Sequence, residues 1–185
     1  MDNIKDLIRV SPEGHVRIWE KETGKVLLDK HNAIHPENMS YAIASAISGR
    51  DGGHITQVCF GSGGARATSS NKLIYATPQT TGRAASLYNE TYSKTVSVDD
   101  ITVTHVSGNE YTDITVRCTL EKDEPSDNTY DTNTVNTSIV DTYNFSEIGL
   151  KTADGDLITH ITHYPSSKAN NITLEIEYLV RFQIV

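Results

Sequence analysis

The stretch Phe145-Ser146-Glu147-Ile148-Gly149-Leu150-Lys151-Thr152-Ala153-Asp154-Gly155-Asp156-Leu157-Ile158-Thr159-His160 decides the fold class, together with the closing run Ile172-Thr173-Leu174-Glu175-Ile176-Glu177-Tyr178-Leu179-Val180-Arg181-Phe182. Two strand-like runs flank Asp154-Gly155, a dipeptide that marks a tight hairpin because its turn needs positive φ angles. The closing run alternates apolar and polar residues, the period of a half-buried strand. Working outward, Ile101–Val106 and Tyr111–Leu120 repeat that alternation around a Ser107-Gly108-Asn109-Glu110 turn. Strands separated by turns, with one short helix early in the chain, predict a mainly β protein built as a β-sandwich. The final hairpin and the last strand are expected at its centre.

The helix is expected over residues 36–48. Pro36 suits a first helical turn, Glu37 favours the positive end of the helix dipole, and Gly49 is a natural stop. Met39, Ile43 and Ile47 recur every four residues beside Ala42 and Ala46, a narrow apolar stripe that predicts packing on a sheet. Before the helix, His15–Glu20 and Lys25–Asp29 read as two strands around Glu22-Thr23-Gly24. An isolated hairpin of this size is marginal in water. Residues 1–31 are therefore read as an N-terminal arm and β-hairpin, and 32–185 as the sandwich domain. Ile18 and Trp19 point to opposite faces of that hairpin, so one is expected to meet the core and the other a neighbouring subunit. The small, polar stretches 61–72 and 76–86 read as loops, 88–98 as a long polar strand, and 121–138 as a long acidic and Thr/Asn-rich loop.

Composition narrows the function. The chain has 185 residues with 37% hydrophobic residues, including nine Tyr against three Phe and one Trp, and 22 Thr. β-branched and aromatic residues in that balance suit solvated strand faces. A formal charge of −8 argues against packing on nucleic acid, where phosphate contacts need Lys and Arg. No apolar run approaches the ~18 residues of a membrane span. Cys59 and Cys118 lie in separate strand-like runs and read as buried thiols.

No motif for catalysis, cofactor or metal emerges. Gly61-Ser62-Gly63-Gly64 lacks the Lys-Ser/Thr and following helix of a phosphate-binding loop, and reads as a tight connection. His31 and His35 are four apart, but Pro36 biases His35 towards extended backbone, so the segment reads as a helix start. His160 and His163 fall on opposite faces of a regular strand and are expected on its polar surface. Asp123, Glu124, Asp127 and Asp131 lack the spacing of a calcium-binding hand and read as a solvated loop. No G-x-S-x-G elbow or other nucleophile–base set is present, and the chain reads as a non-enzyme.

Two blocks carry a family resemblance. The first is Val16-Arg17-Ile18-Trp19 followed by Gly24–Ser40, with His31-Asn32-Ala33-Ile34-His35-Pro36-Glu37-Asn38-Met39-Ser40 as its kernel, and ends at Phe60-Gly61-Ser62-Gly63-Gly64. The second opens at Leu87-Tyr88-Asn89-Glu90-Thr91-Tyr92 and runs through Tyr111-Thr112-Asp113 to the C-terminal hairpin. Together they resemble virion structural proteins of tailed bacteriophages, including contractile-tailed cyanophages; Ser62 departs from the Asn more usual there. The resemblance implies a structural protein of the tail (baseplate or fibre attachment) or neck, in the virion and assembled in the host cytoplasm. It implies a homo-oligomer, trimer or hexamer, with other tail or neck proteins as partners. Ile18, Trp19, Tyr88, Tyr92 and Tyr111 are the expected assembly-interface residues. The alternatives are a receptor- or carbohydrate-binding module of a tail fibre, for which Tyr88, Tyr92, Tyr111 and Tyr143 would supply clustered aromatics, and a capsid-surface decoration protein.

Overall fold

In chain order the strands are β1 (Val10–Glu20), β2 (Val26–Ile34), β3 (Ile55–Gly61), β4 (Ala65–Ala67), β5 (Leu73–Tyr75), β6 (Glu90–Thr95), β7 (Ile101–His105), β8 (Tyr111–Leu120), β9 (Thr142–Thr152), β10 (Leu157–Ala169) and β11 (Leu174–Ile184). The single α-helix, α1, spans Pro36–Ile47 between β2 and β3. These come from a computed structural model, which describes residues 9–125 and 142–184. Nine strands form one antiparallel sheet in the order β6-β3-β9-β10-β2-β1-β11-β8-β7, and β4 and β5 make a separate two-stranded ribbon.

The large sheet curls into a sandwich-like body. Its halves meet through β2, which pairs with β1 along most of its length but with β10 only at Ala33 and Ile34. Val16, Ile18, Val116, Leu120, Ile176 and Tyr178 from one half share a single core with Val58, Phe60, Ile148, Leu150 and Ile161 from the other. Period-two alternation is clearest in β11, where Leu174, Ile176, Tyr178 and Val180 are buried and the residues between them half-exposed. Such burial of apolar side chains is worth roughly 1.5–3 kcal/mol each and supplies most of the driving force. As expected, the β9–β10 hairpin is central to one half and β11 to the other, and Gly155 takes a left-handed φ of 85° at the turn.

The division of the chain at 31/32 is corrected by this topology. That boundary falls inside β2, and β1 lies between β2 and β11, paired with β11 from Val10↔Ile184 to Glu20↔Leu174. Val16 and Ile18 are fully buried. The hairpin is thus part of the core rather than an appendage, because a half-buried strand is most stable with ladder partners on both sides. Two smaller corrections follow the same logic. The strand expected over 88–98 is confined to β6, and the loop reading of 61–72 misses β4, the first strand of the β4–β5 ribbon, whereas 76–86 is irregular as expected.

The helix starts as expected on Pro36. His35 is its N-cap: the Asn38 backbone N–H donates to His35 Nδ1 (3.2 Å), so Nε2 carries the ring proton and donates to the Gly82 carbonyl (3.2 Å). The buried face is Asn38, Met39, Ala42 and Ser45, with Ile43 partly buried; Ile47, expected on the apolar stripe, is 83% exposed. Asn38 belongs to the buried face because its amide donates to the Leu157 carbonyl (2.9 Å) at the start of β10. No helix among the described residues is long and apolar enough to cross a membrane.

Candidate functional site

Two features stand out: a sealed polar cluster on one face of the β3-β9-β10 layer, and an open apolar groove at the mouth between the halves. The cluster is built on Glu147, in the middle of β9. Every residue from Phe145 to Leu150 is buried, so this carboxylate has no access to water. A buried charge must be hydrogen-bonded or it destabilises the fold by several kcal/mol. Oε1 accepts from the backbone N–H groups of Gly63 (2.9 Å) and Asn89 (2.8 Å), and Oε2 from that of Tyr88 (2.9 Å). His160 Nε2–H completes the set at 3.0 Å, because His160 Nδ1 is occupied by the Gln79 N–H at 2.7 Å.

Burial alone would raise the Glu147 pKa, but the His160 hydrogen bond and the Asn89, Tyr88 and Gly63 N–H groups outweigh it and hold the carboxyl below its usual range. The glycine-rich segment 61–64 therefore cradles a carboxylate of its own chain. A Cβ at Gly64 would run into the Ser146 carbonyl, and one at Gly63 would lie 2.9 Å from Glu147 Oε1. Two further clips hold the overlying loop. Arg83 pairs with Asp156 (2.7 Å) and lies over the Tyr41 ring at 3.8 Å, and Thr162 Oγ1 donates to the Ala76 carbonyl (2.7 Å). Glu147 and His160 form an acid–base pair in composition, yet both are fully buried, so no reactant reaches them. Their chemistry is to pin loops 61–64 and 76–89 onto the sheet.

The expectation that His160 and His163 sit on a polar strand surface is corrected. Both are buried, at 0% and 1% exposure: the loop segments at Gln79 and Tyr88 cover His160, His163 packs on Phe145, and the β9–β10 register shifts between Thr162 and Ser166. His163 Nδ1–H donates to the Tyr164 carbonyl (2.7 Å), its ring meets Phe145 edge-on, and burial pushes its pKa down to about 4. His31 and His35 do not share a face: one is exposed on β2, the other buried as the cap. Burial pushes the Cys59 and Cys118 thiols up to about 12, so both remain protonated. Of the acidic loop, Glu124 is bound to Lys94 (2.6 Å), while Asp127 and Asp131 lie outside the described residues. Among the described residues no three metal-ligating side chains gather.

The expected interface residues scatter. Ile18 is wholly buried and unavailable to a neighbour. Trp19 is half-buried, with the Arg17 guanidinium 5.4 Å from its ring. Tyr92 packs between Phe60 and Tyr143, and Tyr111 lies under Arg181 at 3.9 Å. Tyr88 is 47% exposed, with its hydroxyl bound to the Thr77 carbonyl (2.7 Å). The four tyrosines therefore do not form one exposed aromatic platform. Glu147 was visible as a motif but not as a hub. The signal was its position inside an otherwise apolar run, which obliges the fold to bring donors to it.

The groove occupies about 900 Å³ and is walled by α1 on one side and by the inner faces of β7, β8 and β11 on the other. Its rim exposes Ile47, Val98 and Val103 at 83, 82 and 66%. Beside it, β7 ends the sheet with five uncharged or weakly basic residues, Ile-Thr-Val-Thr-His, and no partner strand on its outer side among the described residues. The other edge strand, β6, carries Glu90 and Lys94, both held in ion pairs. No family model matches the chain, and no curated protein or solved structure matches it either.

Proposed function

We propose that this protein is a non-enzymatic structural component of a tailed-phage virion, acting in the tail (baseplate or fibre attachment) or neck through homo-oligomeric contacts. The resemblance of its two sequence blocks motivates the family. The observation that carries the mode of action is the edge of β7, which has no partner strand among the described residues. Native sheets guard exposed edges with charges, prolines or bulges, and an unguarded edge is a template for another strand. Here β6 is guarded and β7 is not. Edge-to-edge pairing of β7 with a neighbouring subunit or tail protein satisfies those backbone groups and continues the sheet. The dispersed tyrosines give the carbohydrate-binding alternative no comparable support.

Two measurements test this reading. Peptide mass spectrometry of purified particles is expected to find the chain in fixed copy number; its absence from particles removes the virion assignment. Analytical ultracentrifugation is expected to show a discrete oligomer that Thr102→Lys with Thr104→Lys returns to monomer without loss of fold. Unchanged assembly in that variant removes β7 from the interface.

A further inference from the structure

The outer face of the β1–β2 hairpin carries two histidines with unused ring nitrogens. His15 and His31 are direct ladder partners, in a register that runs without a break from Gly14↔Asn32 to Ile18↔Leu28. Directly opposed residues project from the same face of a sheet, with Cβ atoms about 4.5–5.5 Å apart. The two rings stand 5.3 Å apart between centroids, at an interplanar angle of 79°. Two imidazoles sharing one tetrahedral ion, at metal–nitrogen distances of about 2.1 Å, have their ring centres roughly 5 Å apart. The pair is therefore spaced for a shared ion without movement of either strand, and β1 is held in the sheet from both sides. Asp29 fixes which nitrogen of His15 is available. His15 Nε2 lies 2.8 Å from Asp29 Oδ1, so that nitrogen carries a proton and donates it. In the neutral ring the lone pair is then on Nδ1. Among the described residues neither His15 Nδ1 nor either nitrogen of His31 has a hydrogen-bond partner. A carboxylate on the far nitrogen is the arrangement that orients metal-bound histidines and raises their basicity. The other Asp29 oxygen faces Arg17 at 3.8 Å, which leaves Oδ1 to His15.

We propose that His15 and His31 form a two-histidine site for one divalent transition ion of the nickel, copper and zinc class, with Asp29 as a positioning residue. Imidazole suits these ions, whereas calcium and magnesium need oxygen ligands. Only two protein ligands take part, since no three ligating side chains gather among the described residues. Water fills the remaining positions, so the ion is held less tightly than in a closed structural site. It clips β1 to β2 across their ladder, and the site is independent of the virion reading.

Isothermal titration of the full chain with zinc chloride is expected to show one ion per chain, unaffected by calcium. His15→Gln and His31→Gln should each weaken binding, and Asp29→Asn should weaken it by about tenfold or more. His54→Gln and His105→Gln, exposed histidines elsewhere, should leave it unchanged. Zinc should raise the unfolding temperature of the native chain and not that of the double variant His15→Gln/His31→Gln, because only the folded hairpin brings the two rings together. A readout that needs no variant is pulsed electron paramagnetic resonance of the native chain with one equivalent of copper(II), expected to show coupling to two imidazoles. The proposal is overturned by absence of binding at millimolar zinc, by a double variant that binds as tightly as the native chain, or by a single imidazole at copper. A stoichiometry of one ion per two chains also overturns it, since that assigns the ion to a contact between copies.

Discussion

The Glu147 cluster and the apolar groove treat water in opposite ways. In the cluster a charge is buried in the sheet and the chain bends three loop N–H groups and a histidine to it. At the groove, apolar side chains of α1 and of the 3-10 turn at Val98–Asp100 stand in solvent although the same molecule has a closed core. The cluster is complete within the described chain and needs nothing further. The groove is the unfinished surface. A polar group that is fully satisfied reads as architecture, whereas an apolar surface left open reads as a place for something to bind.

The sharpest way to break this contrast is Glu147→Ala. Removing the acceptor orphans three backbone N–H groups and His160 Nε2–H in a dry site, and is expected to cost about 3–5 kcal/mol in urea unfolding. Glu147→Gln keeps an acceptor and should cost less. A loss below about 1 kcal/mol for the alanine variant would show that the cluster is not structural.

Acid should act on the cluster side of the molecule too. His163 has its pKa pushed by burial from 6.5 to about 4, so the unfolded chain takes up the proton first. Its contribution is fully present above pH 6.5 and is lost as pH falls towards 4, on the order of 3 kcal/mol. Glu147, whose folded pKa is depressed, adds stability above the ordinary carboxylate range that is lost as pH falls through its folded value. Unfolding free energies measured from pH 8 to 4 should therefore be flat and then decline, with His163→Gln flattening the upper part. A flat profile throughout would contradict the burial of His163.

Gly64→Ala should cost about 1–3 kcal/mol, because the added methyl meets backbone at Ser146 and can be relieved only by moving the loop off Glu147. The smallest effect belongs to the groove. Ile47→Ser should change stability by no more than about 0.5 kcal/mol, as its side chain rests on almost nothing described. A larger loss would mean that Ile47 is covered in solution. The two positions therefore bracket the comparison from opposite sides.

Local signals carried much of this fold. Asp154-Gly155 announced the β9–β10 turn, and the alternation of Ile101–His105, Tyr111–Leu120 and Leu174–Phe182 gave three strands. Pro36 gave the helix its start, and Gly49, at φ 69°, its stop. What stayed hidden depends on residues far apart in sequence. Nothing near Val16 and Ile18 names β11 as their ladder partner, so the first hairpin read as an arm. The burial of His160 depends on loops arriving from residues 61–89, and the two histidines straddle a register shift in β10 that period-two counting does not anticipate. The hub was hidden for the same reason: three of its four donors are backbone N–H groups, which any sequence supplies.

The pairing of β1 with β11 also sets the order in which the molecule can form. β1 and β2 leave the ribosome well before β11, yet β11 is the strand that covers the open side of β1, with Val10 opposite Ile184. A lone hairpin is marginal, so Val16 and Ile18 have no finished core until synthesis has passed residue 174. Contacts of such long sequence separation slow folding and leave a strand edge exposed meanwhile. Nascent chains halted before residue 174 are expected to remain protease-sensitive through β1; early protection would show that the hairpin folds alone. The core thus closes only once β11 has been made, and β1 keeps an open edge during the interval.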